Sequence, residues 1–148
     1  HPQLEWSSHR DVLTVALAAP HTTFSLLTAL HLLGIGAVPA EVWISIGHHD
    51  RAPSIEGIPI AVVRCKTRPP GEEAIQLIGV ETLQVRVTSA ARTVADCFKA
   101  RNRIGLDISV GALRSVRRRG LASADEIWSE AVRNEVCAVM SPYLRSLA

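Results

Sequence analysis

Four groups of side chains in this sequence are of types that do chemistry. His48, His49 and Asp50 stand side by side, and Glu72, Glu73, Glu81 and Asp96 are carboxylates of the kind that gather metal ions in nucleases. Cys65, Cys97 and Cys137 are thiols, and 14 of the 16 basic residues are arginines, the only lysines being Lys66 and Lys99. Each group demands its own geometry. A metal site needs three or four convergent ligands, whereas neighbouring strand-end residues point to opposite faces, so His48 and His49 do not easily share an ion. No third ligand recurs at helical spacing and HExxH is absent, so HHD reads as a solvated turn. His31, four residues after Leu27 at the edge of an apolar stripe, reads as a semi-buried, hydrogen-bonded histidine rather than a general base.

A metal nuclease needs two or three converging carboxylates, usually with a lysine beside the last. Glu72 and Glu73 lie in a proline-rich loop, Asp96 is spaced to pair with Arg92, and neither lysine is placed for that role. The cysteines lack CxxC spacing and a histidine partner; their odd, wide spacing suits reduced thiols that pack as small apolar groups in a cytosolic protein. Gly34-Ile35-Gly36 follows a helix and has neither a third glycine nor a lysine, so it reads as a helix end and not a phosphate cradle. No catalytic, cofactor-binding or metal-binding constellation emerges, and the expectation is a protein that is not an enzyme and needs no cofactor. A degenerate or active metal-dependent nuclease-like domain remains the alternative, since small α+β domains host such sites.

The arginines remain. Arg92 and Lys99 face away from the apolar stripe of one helix, Arg101 and Arg103 flank a connector, and Arg114 and Arg118 share a helix face at i, i+4, with Arg117 and Arg119 spread to either side. These eight form the candidate basic surface for a partner or for phosphate groups. Cations near a helix C-terminus also complement the macrodipole, which is the simpler explanation of the triple arginine. A net charge of only +2 gives no general attraction for nucleic acid, so any such role needs a local patch.

The elements that must position these residues follow from periodicity. Ser8 with Asp11 suggests a capping-box start for a first helix carrying Val12, Val15 and Leu17, which Pro20 stops. Thr22 suits the cap of a second helix, with Leu26, Leu27, Leu30 and Leu33 at helical spacing and Gly34 at its end. Glu41–Gly47 alternates, Val42, Ile44 and Ile46 facing one way and Glu41, Trp43 and Ser45 the other. A strand over Ile58–Cys65, a loop KTRPPGEE, and a hairpin of Ala74–Ile78 with Leu83–Thr88 follow, with Leu83, Val85 and Val87 on the buried face. The rest is helical. The Ser89 helix buries Ala91, Val94, Ala95 and Phe98; the next buries Leu106, Val110 and Leu113, with Gly120 at its C′ position. Ser123 and Glu126 cap a helix burying Ile127, Trp128, Ala131 and Val132, and Ser141-Pro142 opens the last. The expectation is an α+β fold: a small, mostly antiparallel sheet of about four strands, flanked by an N-terminal helix pair and a C-terminal run of four helices.

With 148 residues, 47% hydrophobic and 20% charged, the chain suits one globular domain over residues 1–148. Its apolar runs are far short of a membrane span, and HPQLEWSSHRD has no apolar signal-peptide core. The opening residues have no partner of their own, which suggests that a segment precedes His1.

The run VTSAARTVADCFKARNRIGLDISVGALRS, with LHLLGI and PAEVWISI upstream and VRNEVCAVMSPYLRSLA downstream, resembles the AbiEi family of type IV antitoxins. The likeness extends from about Val12 to the C-terminus. Its most specific part is Thr93–Lys99 with Arg101, Asn102 and Gly105–Asp107. The hairpin GVETLQVRV departs from the family's usual EGVPVRV. The resemblance implies the C-terminal antitoxin domain of a bacterial, cytoplasmic transcriptional repressor from an abortive-infection toxin-antitoxin system. In such a repressor an N-terminal winged helix-turn-helix, absent from this chain, binds operator DNA. It also implies a cognate nucleotidyltransferase-like toxin, counteracted with or without direct contact, and no membrane partner.

Overall fold

The computed structural model describes residues 2–65 and 72–147. The chain divides into two compact units, His1–Thr88 and Ser89–Ala148. Among the described residues no helix is long and apolar enough to cross a membrane.

The first unit is built on helix α1 (Pro2–Ala18), strand β1 (Thr23–Phe24), helix α2 (Leu26–Leu32) and strands β2 (Val42–Gly47) and β3 (Ile60–Cys65). A 3₁₀ turn at Glu72–Ala74 leads into β4 (Ile75–Val80) and β5 (Leu83–Thr88). The remainder of the expected KTRPPGEE loop, 66–71, lies outside the described residues. The five strands lie in the order β3-β2-β1-β5-β4. β1 pairs antiparallel with β2 and parallel with β5; β2 pairs parallel with β3, and β4 antiparallel with β5. The fold is α+β as expected, but the sheet is mixed and has five strands rather than four. Two residues are too few to show a period of two, so β1 leaves no trace in the sequence pattern. Because β2 and β3 run parallel, residues 48–59 form a crossover and not a hairpin turn.

The central position of β2 explains why its alternation misleads. All six of its residues are buried, Trp43 and Ser45 included, because both faces of an inner strand are covered. The hydroxyl of Thr28 accepts a hydrogen bond from the Trp43 N–H at 2.8 Å, tying α2 to this strand. The β4–β5 hairpin closes at Val80–Leu83 around Glu81, whose φ of 55° is the left-handed conformation that tight two-residue turns require. Val12, Val15, Phe24, Ile44, Val85 and Val87 lie in one apolar cluster. Leu17 is 70% exposed instead, five residues after Val12 and so off its face. Helix α1 runs unbroken through Ser8, and Thr22 lies buried beside β1 instead of capping α2, whose cap position is Ser25.

The second unit is helical: α3 (Ala90–Lys99), a single turn α4 (Arg101–Ile104), α5 (Leu106–Arg118), α6 (Ala124–Arg133) and α7 (Cys137–Ser146). The extra helix relative to expectation is α4, the connector. Ser89 caps α3 by accepting from the Arg92 N–H, and Ser123 with Glu126 forms the expected capping box on α6. α3 packs against α5 and α6. Buried Ser109 fastens α5 to α3 by donating to the Cys97 carbonyl at 2.9 Å. α5 turns Ser109, Ala112, Leu113 and Val116 inward and leaves Leu106 40% exposed; α6 buries Ile127, Glu130 and Ala131 and leaves Trp128 and Val132 41% and 56% exposed. α7 starts at Cys137, so Pro142 lies inside it and not at its first position.

The end of α5 is fixed by two backbone bonds, Leu121 N–H to Val116 and Gly120 N–H to Arg117, which together make a Schellman motif. Gly120 has φ +65° and open space where a Cβ would stand. Gly120→Ala therefore meets no clash but takes on left-handed strain, and is expected to cost about 1 to 2 kcal/mol in chemical denaturation. Phe98 is fully buried with its ring 5.9 Å from Tyr143. Phe98→Ala is expected to cost about 3 to 5 kcal/mol through the cavity it leaves, and an unchanged melting midpoint would refute this packing.

Candidate functional site

The eight basic residues singled out in the sequence occupy three different environments. Arg92 is turned into the helical unit: its Nε donates to Asp96 Oδ1 at 2.8 Å, and its Nη1 lies 4.0 Å from Glu130 Oε2. Its side chain is only 16% exposed, so it does not contribute to an open basic face. Arg101 is half-buried and donates to the Phe98 carbonyl at 2.8 Å, capping the end of α3, while Lys99 and Arg103 are exposed on α3 and α4.

Arg114, Arg117 and Arg118 come together. With Leu147 they line an open groove of about 420 Å³ on α5. Arg114 and Arg118 are exposed one turn apart, and Arg117 is half-buried, donating from Nη1 to the Ala122 carbonyl at 3.2 Å. Arg119, the C-cap residue, is exposed next to them. Among the described residues carboxylate–guanidinium pairs gather at Asp96 and Glu130 and involve none of the three groove arginines.

That carboxylate cluster is the strongest electrostatic feature of the helical unit. Asp96 and Glu130 share Arg92 across the α3–α6 seam, and Arg133 Nη1 reaches Glu130 Oε1 at 3.2 Å from the rim. Glu130 Oε2 is buried without a hydrogen-bond donor. Burial raises the Asp96 carboxyl to about 6, against the pull of Arg92; Glu130 adds to the rise and Lys99 opposes it. The i, i+4 spacing of Arg92 and Asp96 foretells their pair. The i, i+3 spacing of Glu130 and Arg133 likewise allows theirs, but nothing foretells that Glu130 meets Arg92, which lies on another helix.

The other candidates stand apart from this surface. Glu73 and Glu81 are exposed, Glu81 at the hairpin tip, and the Glu72 side chain lies outside the described residues. His48 and His49 are exposed with their rings 5.0 Å apart, edge to face. Their turn is pinned by Asp50, which accepts from the Gly47 N–H at 2.9 Å, and by Arg64. Arg64 Nη1 donates to the carbonyls of Gly47, His48 and Asp50, at 2.7 Å for the last. His31 lies with its Nδ1 3.2 Å from the Gly36 carbonyl, at a cavity of about 80 Å³ that also touches Asp11 and Glu41. That volume holds water and not a substrate. Among the described residues no group of three or more His, Cys, Asp or Glu side chains is arranged to hold a metal ion. Cys97 is buried, and burial pushes its thiol far above the ordinary value, away from the reactive thiolate.

The Asp96 shift has a sign opposite to ordinary acid unfolding. Above about pH 4 the unfolded chain ionises this carboxyl while the folded chain holds its proton until about 6. Folding stability therefore declines as pH rises through that window, by on the order of 3 kcal/mol from this group alone. The stability difference between the parent chain and Asp96→Asn is expected to change by that amount between the two pH values in urea titrations. A flat difference would place Asp96 in solvent.

No family model matches the chain, and no curated protein matches it; what the α5 groove does has to be read from its residues and geometry.

Proposed function

We propose that this chain is a non-enzymatic antitoxin domain of the AbiEi type, part of a bacterial transcriptional autorepressor, and that it counteracts a nucleotidyltransferase-like toxin through the arginine face of α5. The observation that carries this reading is the groove itself: three guanidinium groups on one helix end, while the ion pairs of Asp96 and Glu130 are made with Arg92 and Arg133 instead. Operator recognition in this reading belongs to a winged helix-turn-helix outside the chain, and α5 supplies the contact made by this part. The resemblance of Thr93–Lys99 and Gly105–Asp107 to the family supports the assignment, since these residues build α3 and the start of α5. The buried pairing of Asp96 with Arg92 counts against the nuclease alternative, because a carboxylate held there does not face a substrate.

The test is rescue of growth in cells that express the toxin encoded beside this gene. The protein is expected to restore growth, and Arg114→Glu with Arg118→Glu to lose at least about tenfold of that rescue, since like charges placed across a contact cost several kcal/mol. Circular dichroism of the double variant should match the parent. Full rescue by the variant would show the groove to be solvated surface.

A further inference from the structure

We infer that the outer edge of β4 is a docking site for an extended segment of a partner protein, which joins the sheet as a further antiparallel strand. The segment that fits has basic residues at both ends and an aromatic side chain within it. This site is separate from the arginine face of α5, and either can fail while the other stands.

The first ground is the backbone. β4 is the last strand of the sheet and has β5 on one side only. The two-residue turn makes Val80 and Leu83 a hydrogen-bonded pair, and in an antiparallel ladder such pairs alternate with non-bonded ones. Ile78 and Gln76 therefore bond to β5, while the N–H and C=O groups of Ile75, Leu77 and Gly79 point the other way. Among the described residues no backbone bond outside the ladder reaches these outward groups. Proline, a charged side chain or a bulge ordinarily blunts such an edge. The run IQLIGV contains neither proline nor charge, and its register with β5 is unbroken.

The second ground is the side chains beside those groups. Leu77 is 62% exposed, an aliphatic contact offered at the centre of the strand. Gly79 is exposed, and a Cβ built there would meet nothing within 4 Å. A bare glycine on an edge strand is covered best by an aromatic ring on the strand opposite.

The third ground is charge. Glu73 stands exposed just before the strand, and Glu81 stands exposed at the hairpin tip just after it. Arg86 sits opposite Leu77 on β5, one strand in from the edge, with its Nε buried. Acid at both ends complements a segment with basic ends. It also disfavours a second copy of this chain. Antiparallel pairing of two β4 strands about Leu77 is the register that uses every outward group, and it brings Glu81 of each copy to Glu73 of the other. Like charges facing each other across strands are destabilising.

The experiment follows backbone amide hydrogen exchange of the purified chain by NMR, with and without the peptide KKFTVTVKK. In the free chain the amides of Gln76 and Ile78 are expected to exchange slowly and those of Ile75, Leu77 and Gly79 fast. The peptide should slow the fast ones at least about tenfold. Methylating the peptide nitrogens of Phe and both Val, which face β4, should abolish binding, and methylating those of both Thr should spare it. EEFTVTVEE should bind at least about tenfold more weakly. Leu77→Pro removes an N–H that β5 does not use, so the sheet tolerates it while binding is lost. Leu77→Lys sets a charge on the edge, and its loss of binding serves in place of the proline variant should that one unfold. Slow exchange at Ile75, Leu77 and Gly79 in the free chain overturns the inference, because the edge is then already covered. Protection that grows with protein concentration identifies the cover as a second copy. Equal binding by EEFTVTVEE, by both methylated peptides or by a folded Leu77 variant overturns it as well.

Discussion

The helical unit is organised by two carboxylates that share one guanidinium in the seam between α3 and α6. A charge taken out of water has to keep its counter-charge close, and Arg92 is the cation that reaches both Asp96 and Glu130. The rotation of α6 is consistent with this pairing and with the burial of Ile127 and Ala131 on the same face. With Glu130 turned inward beside Ile127, Ala131 and Asn134, the residues two positions away on either side of it turn outward, and Trp128 and Val132 end in solvent. Tryptophan and valine at helical spacing look like core. They lie outside because the inward face of α6 is taken by Ile127, Glu130 and Ala131 together.

The same pairing sorts the basic residues. Arg92 is used inside the unit, Arg101 closes the last turn of α3, and the arginines at the end of α5 face outward as a group. A count of arginines along the sequence treats these as one surface, while the structure separates cations that hold the fold from cations presented to the outside. The separation depends on what lies on neighbouring helices, and residue spacing does not record that.

What could be read from the sequence is what depends on local spacing. The Ser123–Glu126 capping box, the Ser89 cap, the β4–β5 hairpin, the Val94 and Phe98 stripe and the Arg92–Asp96 pair are all set by residues within a few positions of each other. The misses are non-local. Thr23–Phe24 becomes a strand only because β2 and β5 arrive on either side, and β2 is buried on both faces only because the sheet is covered there. The one-turn helix α4 looks like a loop because four residues show no period. At the candidate site, Arg114 and Arg118 were legible as a pair, and the anchoring of Arg117 on Ala122 was not, since it depends on the backbone path after Gly120.

The shortest strand has the longest consequence. β1 sits in the middle of the sheet, paired on one side with residues 44–45 and on the other with residues 86–87. A chain emerging from the ribosome can form α1, α2 and the β2–β3 pair early, but the sheet stays in two parts until β5 arrives. Such distant pairing is slow, because a long loop must close before the contact rewards it. The first unit is therefore completed only when nearly all of its own residues have been made, as synthesis of α3 begins. During that interval the inner edge of β1 has no partner, and the order in which the chain is made sets how long it stays open.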